Sequence, residues 1–175
     1  MSFRNKTLTL CLILLLLVTI GCTSINNAQG WSGALINDGH IVLTSMDGHI
    51  MVLDKHTGKH VWKPDLIRVN EKEESKRASY GIPAVSQGIV FVGVYDGKIQ
   101  AVEKDTGRIV ETEVVSDDFE IIGGPLINNE KLFIGSTDGV LRSYILEFSN
   151  QQVTFNDHWE FKVDGEIWST PVVSN

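Results

Sequence analysis

The side chains that could do chemistry are few and poorly grouped. Five histidines and two cysteines stand among 175 residues. His56 and His60 are four apart, a spacing that brings two imidazoles to one metal ion only on a helix. Here they flank Thr57-Gly58, a turn sequence, and read as solvated surface. His40, His49 and His158 stand in no ligand pattern. Asp117, Asp118 and Glu120 could crowd a cation, but the glycine and carbonyl spacing of a calcium loop is missing, so they read as an acidic turn. No glycine-rich loop runs into Lys and Ser/Thr, and no Gly-x-Ser-x-Gly elbow occurs, which argues against phosphate-cradle and serine-nucleophile mechanisms. No catalytic, cofactor-binding or metal residue is therefore assigned, no cofactor is expected, and the reading leans away from an enzyme. A net charge of −7 and a pI near 5.2 leave no basic footprint, so nucleic acid is not an expected partner.

Both cysteines, Cys11 and Cys22, lie in the first 22 residues, so the remainder has neither a disulfide framework nor a thiolate site. Arg4 and Lys6 precede a low-polarity run of 13 residues from Leu8 to Ile20. That run fits a secretory signal and falls short of the roughly 20 residues a membrane span needs. It ends in Thr19-Ile20-Gly21-Cys22, which resembles the bacterial lipobox, with Thr19 where leucine is usual. The resemblance implies cleavage before Cys22, acylation of Cys22 and attachment to a lipid bilayer. Thr23 in place of aspartate resembles the sorting pattern of outer-membrane lipoproteins. The expected organisation is a signal peptide over 1–21, a polar tether over 22–30 and a folded body over 31–175. Loss of Arg4 and Lys6 with the signal takes the formal charge from −7 to −9.

The elements that must carry these residues emerge from an internal repeat. Pro83-Ala84-Val85 leads through Ile89–Gly93 to Asp96-Gly97, and Pro125-Leu126-Ile127 leads through Leu132–Gly135 to Asp138-Gly139. Ala34-Leu35-Ile36 leads likewise to Asp47-Gly48, and Pro171 opens a fourth unit. Successive starts at 34, 83, 125 and 171 lie 49, 42 and 46 residues apart. The apolar runs are short, β-branched or aromatic, and bounded by Gly, Asn and Asp pairs, so they predict strands buried on both faces. Asp47-Gly48, Asp96-Gly97 and Asp138-Gly139 predict type I′ hairpins. No helical period appears; Asn70–Ala78 offers at most one charged turn without an apolar face. Four short strands every 40 to 50 residues describe a propeller blade, the first starting its strands at Ala34, Ile41, Ile50 and His60.

Val52-Leu53-Asp54-Lys55-His56-Thr57-Gly58-Lys59-His60-Val61-Trp62 resembles the tryptophan-docking motif of the PQQ-like repeats. These repeats occur in quinoprotein alcohol dehydrogenases and in the propeller lipoprotein of the outer-membrane β-barrel assembly machinery. Ala101–Gly107 keeps the turn with Thr106-Gly107, but Glu111 replaces the tryptophan; the third unit loses Thr-Gly, and Trp159 follows a longer polar turn. The resemblance implies an all-β propeller of four-stranded antiparallel blades. About three blades and the start of a fourth would be present, part of a ring of seven or eight. It also implies that Asp54, Thr57, Gly58, Trp62, Thr106 and Gly107 shape the blades. In the dehydrogenases PQQ lies over a tryptophan floor beneath an adjacent-cysteine disulfide, with calcium and an aspartate base. Without such cysteines, Trp31, Trp62, Trp159 and Trp168 are expected to pack blades.

Two functions follow as expectations. The first is a membrane-anchored, non-catalytic propeller of the bacterial envelope that binds or scaffolds a protein partner; the second is part of a PQQ-dependent oxidoreductase. The long connections Pro64–Ser79 and Thr112–Glu120 should lie with the Asp-Gly turns on one, more acidic, binding face. An arc of three blades leaves open strand edges, so the chain is expected to be a fragment that associates or takes the rest of its ring from elsewhere.

Overall fold

The computed structural model describes residues 32–46, 48–62, 65–66 and 78–174. The signal, the lipobox with Cys22, the tether, Trp31, Asp47 and nearly all of Asn70–Ala78 lie outside the described residues. Twelve strands form three four-stranded antiparallel meanders in sequence order, and no described residue is helical. Blade one comprises β1 (Ala34–Asn37), β2 (His40–Thr44), β3 (His49–Asp54) and β4 (Asp65–Leu66). Blade two comprises β5 (Ala84–Ser86), β6 (Ile89–Val94), β7 (Lys98–Glu103) and β8 (Ile109–Val114). Blade three comprises β9 (Leu126–Asn128), β10 (Lys131–Gly135), β11 (Val140–Ser149) and β12 (Gln152–Lys162).

The turns exchange the roles expected of them. Asp96 and Asp138 do not take the positive φ that a type I′ turn requires at both central residues; only Gly97 (84°) and Gly139 (77°) do. Val94 pairs with Lys98, so the loop holds three residues, closed by Gly97 N–H donating to Val94 O at 3.0 Å. This is a three-residue turn ending in a left-handed glycine. The type I′ geometry occurs at the other hairpins instead, at Asp38-Gly39, Gln87-Gly88, Asn129-Glu130 and Asn150-Gln151, where both φ values are positive. The outer strand of blade one also departs from expectation. His60 makes only an isolated bridge to Leu53, and the strand resumes at Asp65. Between them stands Pro64, which has no N–H for a ladder.

Alternation along β6 builds both blade seams at once, because successive side chains leave a strand on opposite faces. Val90, Val92 and Val94, with Val102, meet Val42, Ile50 and Val52 of blade one. Ile89 and Phe91 join Leu132, Ile134, Tyr144 and Leu146 of blade three. Blade two is therefore buried on both sides as expected. In β10 the expectation holds on one side only: Leu132 and Ile134 are fully buried, Phe133 is not. No described blade lies beyond it.

Candidate functional site

The Asp-x-x-Thr-Gly turn is built by its own hydrogen bonds. Asp54 Oδ1 accepts from Thr57 Oγ1 at 2.8 Å, Thr57 N–H at 2.8 Å and His56 N–H at 3.1 Å. The Thr57 hydroxyl and these backbone donors hold the Asp54 carboxyl below the usual carboxylate range. Gly58 N–H closes the turn on Asp54 O at 2.8 Å, with Gly58 at a φ of 66°. Blade two repeats the device with Glu103 for aspartate: Thr106 Oγ1 donates to Glu103, and Gly107 sits at 76°.

Trp62 joins the two blades through that second turn. Its Nε1 donates to Lys104 O at 2.8 Å, and its ring lies over Gly107 so closely that a Cβ there would stand 2.6 Å from Cε3. Glycine is thus required twice at 107, for its left-handed backbone and for the ring above it. Buried Lys104 adds a bond from Nζ to Asn37 Oδ1 at 3.4 Å, tying the same turn to the β1–β2 hairpin.

The seam between blades two and three uses different parts. Glu111, facing Ala101 in register, is exposed. The polar turn expected before Trp159 is a β-hairpin: β11 and β12 run on to Ser149 and Gln152 and fold back on blade two. Phe148 and Phe155 meet Phe91 edge-on at 6.4 and 6.0 Å, and Leu146 and Val153 are buried beside them. An aromatic cluster replaces a tryptophan on a glycine. Near this seam Glu113 is raised above the ordinary glutamate range by burial, then by Asp157 and Glu111. Burial likewise pushes the Tyr144 hydroxyl upward.

Where the chain enters the first strands of the described blades lies an axial cleft of about 470 Å³, lined by Tyr80, Ile122 and Trp168 together with Gly33, Gly81, Ile82, Gly123 and Thr170. Tyr80, Ile122 and Trp168 each precede Pro83, Pro125 or Pro171 by three residues, a signal present in the sequence that the repeat alignment could have shown. Backbones touch behind the cleft: a Cβ on Gly81 would meet Gly124 N at 2.1 Å, and one on Gly124 would meet Ile82 O at 2.1 Å. Trp168, expected to pack blades, lines the cleft among the described residues. It is 62% exposed at the cleft and donates from Nε1 to Glu166 at 2.6 Å. Trp159 lies on Phe133 of its own blade, ring centroids 5.8 Å apart.

On the same face Val115 and Ser116 N–H donate to Gly97 O, so the second connection does cover the Asp-Gly turn. Thr112 and Glu113, expected in that connection, belong to β8. Asp117 and Asp118 are exposed, whereas Glu120 accepts from Thr137 Oγ1 at 2.8 Å and is bound to blade three. Asp138 meets Arg142 at 2.6 Å; burial would raise its carboxyl, but Arg142, Ser136 and the Val140 N–H outweigh burial and leave it lowered. Exposed His56 and His60 flank the Thr57-Gly58 turn. Ser143 Oγ stands 3.2 Å from His158 Nδ1, a contact sequence spacing missed because a bulge in β11–β12 decides it. Ser143 is buried, and with His158, Tyr144, Asp157 and Trp159 it lines a small pocket of about 150 Å³ on the face that carries Trp159. Around the cleft, the side chains do not fit a metal-bound quinone: its lining brings no carboxylate, thiol or cation, and no described group of three His, Cys, Asp or Glu could hold a metal ion.

Residues 46–152 match the family described as outer membrane protein assembly factor BamB. The chain belongs to this family. The PQQ-like resemblance of the Val52–Trp62 motif and the propeller architecture thus hold. Among BamB-family relatives, BamB of Xanthomonas campestris is 30% identical over 91 residues, 49% of this chain and 22% of that protein. Quinoprotein alcohol dehydrogenase PedH of Pseudomonas putida is 32% identical over 108 residues, 60% of this chain and 18% of that protein. The crystal structure of BamB from Moraxella catarrhalis superposes with a TM-score of 0.54 at 26% identity, covering 67% of this chain and 34% of that one. The chain spans about a fifth of the length of these curated relatives.

Proposed function

We propose that this chain belongs to a lipid-anchored, non-catalytic propeller of the bacterial envelope that binds a protein partner during outer-membrane protein assembly. The observation that carries the reading is the axial cleft, which presents Tyr80, Ile122 and Trp168 beside bare glycine backbone. Aromatic side chains offer large contact area with little entropy to lose, as a protein-binding surface requires. The BamB family match supports the assembly role, and the lipobox-like Thr19–Cys22 supports anchoring through acylated Cys22 after removal of residues 1–21, with 22–30 as tether. Depletion in the host bacterium should lower the steady-state amount of outer-membrane β-barrel proteins, and Tyr80→Ala with Trp168→Ala should fail to restore it. Unchanged barrel protein levels on depletion would overturn the proposal.

The similarity to PedH favours a second reading, a PQQ-dependent oxidoreductase whose cofactor residues lie outside this chain. Titration of the purified protein with PQQ and calcium, followed by alcohol-dependent dye reduction, separates the two: saturable binding with turnover supports the oxidoreductase, and neither supports the binding protein.

A further inference from the structure

Carboxylates stand in register with the lining of the axial cleft. Ile122 and Trp168 are related by the 46-residue offset of the repeat, and the same offset relates Glu120 to Glu166 and Asp118 to Asp164. Glu120 and Glu166 each precede a lining residue by two positions, at most ~7 Å of chain. Trp168 donates from Nε1 to Glu166 Oε2 at 2.6 Å, and no described residue donates to Glu166 Oε1. The carboxylate therefore lies at the edge of an indole that is itself 62% exposed. The bases at this end of the described blades are already engaged: Lys98 Nζ stands 2.6 Å from Asp96, Arg142 meets Asp138 at 2.6 Å, and Lys162 Nζ donates to Asp138 O at 2.8 Å. Asp117, Asp118, Asp164 and Glu166 are exposed, and none of them has a cation partner among the described residues. An apolar lining thus meets uncompensated charge of one sign.

We propose that the cleft takes an arginine-bearing segment of a protein partner, a guanidinium stacking on Trp168 and pairing with Glu166. This rests on the reading of the cleft as a protein-binding surface and specifies what that surface recognises. Charge complementarity selects a basic occupant, since an acidic one would bring its charge against Glu166. A cation over an indole face gains from the negative quadrupole of the ring. Arginine suits the pair better than lysine, because its planar and weakly hydrated guanidinium stacks on an aromatic face while its N–H fork meets a carboxylate.

The test follows the fluorescence anisotropy of three end-labelled peptides of equal length, alternating Arg-Ser, Lys-Ser and Gln-Ser, on addition of the full chain in mild detergent at physiological salt. The Arg-Ser peptide should bind saturably, more tightly than Lys-Ser and at least about tenfold more tightly than Gln-Ser. Glu166→Gln should weaken Arg-Ser binding about tenfold, and Trp168→Ala about threefold. Glu111→Gln, an exposed position on β8, should leave it unchanged, which separates recognition at the cleft from the general attraction of an acidic chain for a cationic peptide. Absence of saturable Arg-Ser binding, equal binding of Arg-Ser and Gln-Ser, or equal losses from Glu111→Gln and Glu166→Gln would each overturn the inference. The protein-binding reading itself falls on a different result, unchanged barrel protein levels on depletion.

Discussion

Trp62 shows how one side chain joins two blades, because its ring packs on Gly107 while its indole N–H satisfies Lys104 O. Trp62→Ala removes both and should cost about 3–5 kcal/mol, read as a shift of the denaturant midpoint. Gly107→Ala attacks the joint from the other side, since alanine at a φ of 76° is strained by roughly 1–2 kcal/mol before its methyl group meets the ring. Two carboxylates respond to pH in opposite senses. Asp138 has a folded pKa below its unfolded value, so its contribution is complete above the unfolded pKa near 3.8 and is lost as pH falls through the folded one. Asp138→Asn should therefore lower Tm at pH 7, and the difference from the parent should shrink in acid. Glu113 is raised, so its charge opposes folding above the folded pKa; Glu113→Gln should raise Tm at pH 7, with the gain vanishing as pH falls below the unfolded value.

At the scale of elements, the long β11–β12 hairpin matters most. Blade two lacks a docking tryptophan at Glu111, and blade three lacks the Thr-Gly turn it would dock on; both losses are met by one insertion that places Phe148, Phe155, Leu146 and Val153 against blade two. Leu146 is 2% exposed, and Leu146→Ala should cost about 2–5 kcal/mol. Phe91→Ala and Phe155→Ala should be non-additive in a double-mutant cycle, with a coupling of about 0.5–1.5 kcal/mol from their edge-to-face contact. Additive losses would show that the hairpin does not hold the seam. The sequence reading took this insertion for a longer polar turn, although Phe148 and Phe155 alternate with polar residues as strands do, and its direction was not legible. A hairpin can fold to either side of its blade, and only contact with Phe91 decides which.

At the largest scale, the three described blades carry the second connection and the cleft on one face. On the proposed anchoring, Cys22→Ser should abolish acyl labelling and release the protein from the membrane fraction; normal labelling in that variant would refute it. The family match covers the propeller residues 46–152 and leaves the anchor to this experiment.

Composition, repeat and motif together determined the all-β class, the start of each repeat unit and the PQQ-like resemblance, while the outer strand of blade one and the end of β8 fell elsewhere than expected. These are local properties: strand alternation, left-handed glycines and the Thr-Gly turn act within a few residues. Turn type was lost because Asp96-Gly97 and Asp138-Gly139 belong to three-residue loops, and loop length depends on which residues pair across the strands. Tertiary structure alone decided what each tryptophan touches. Trp62, Trp159 and Trp168 are chemically alike, yet one docks on a neighbouring blade, one lies on its own sheet and one lines the cleft. Their surroundings come from residues 40 or more positions away or from register across a bulge, and residue type carries no record of either.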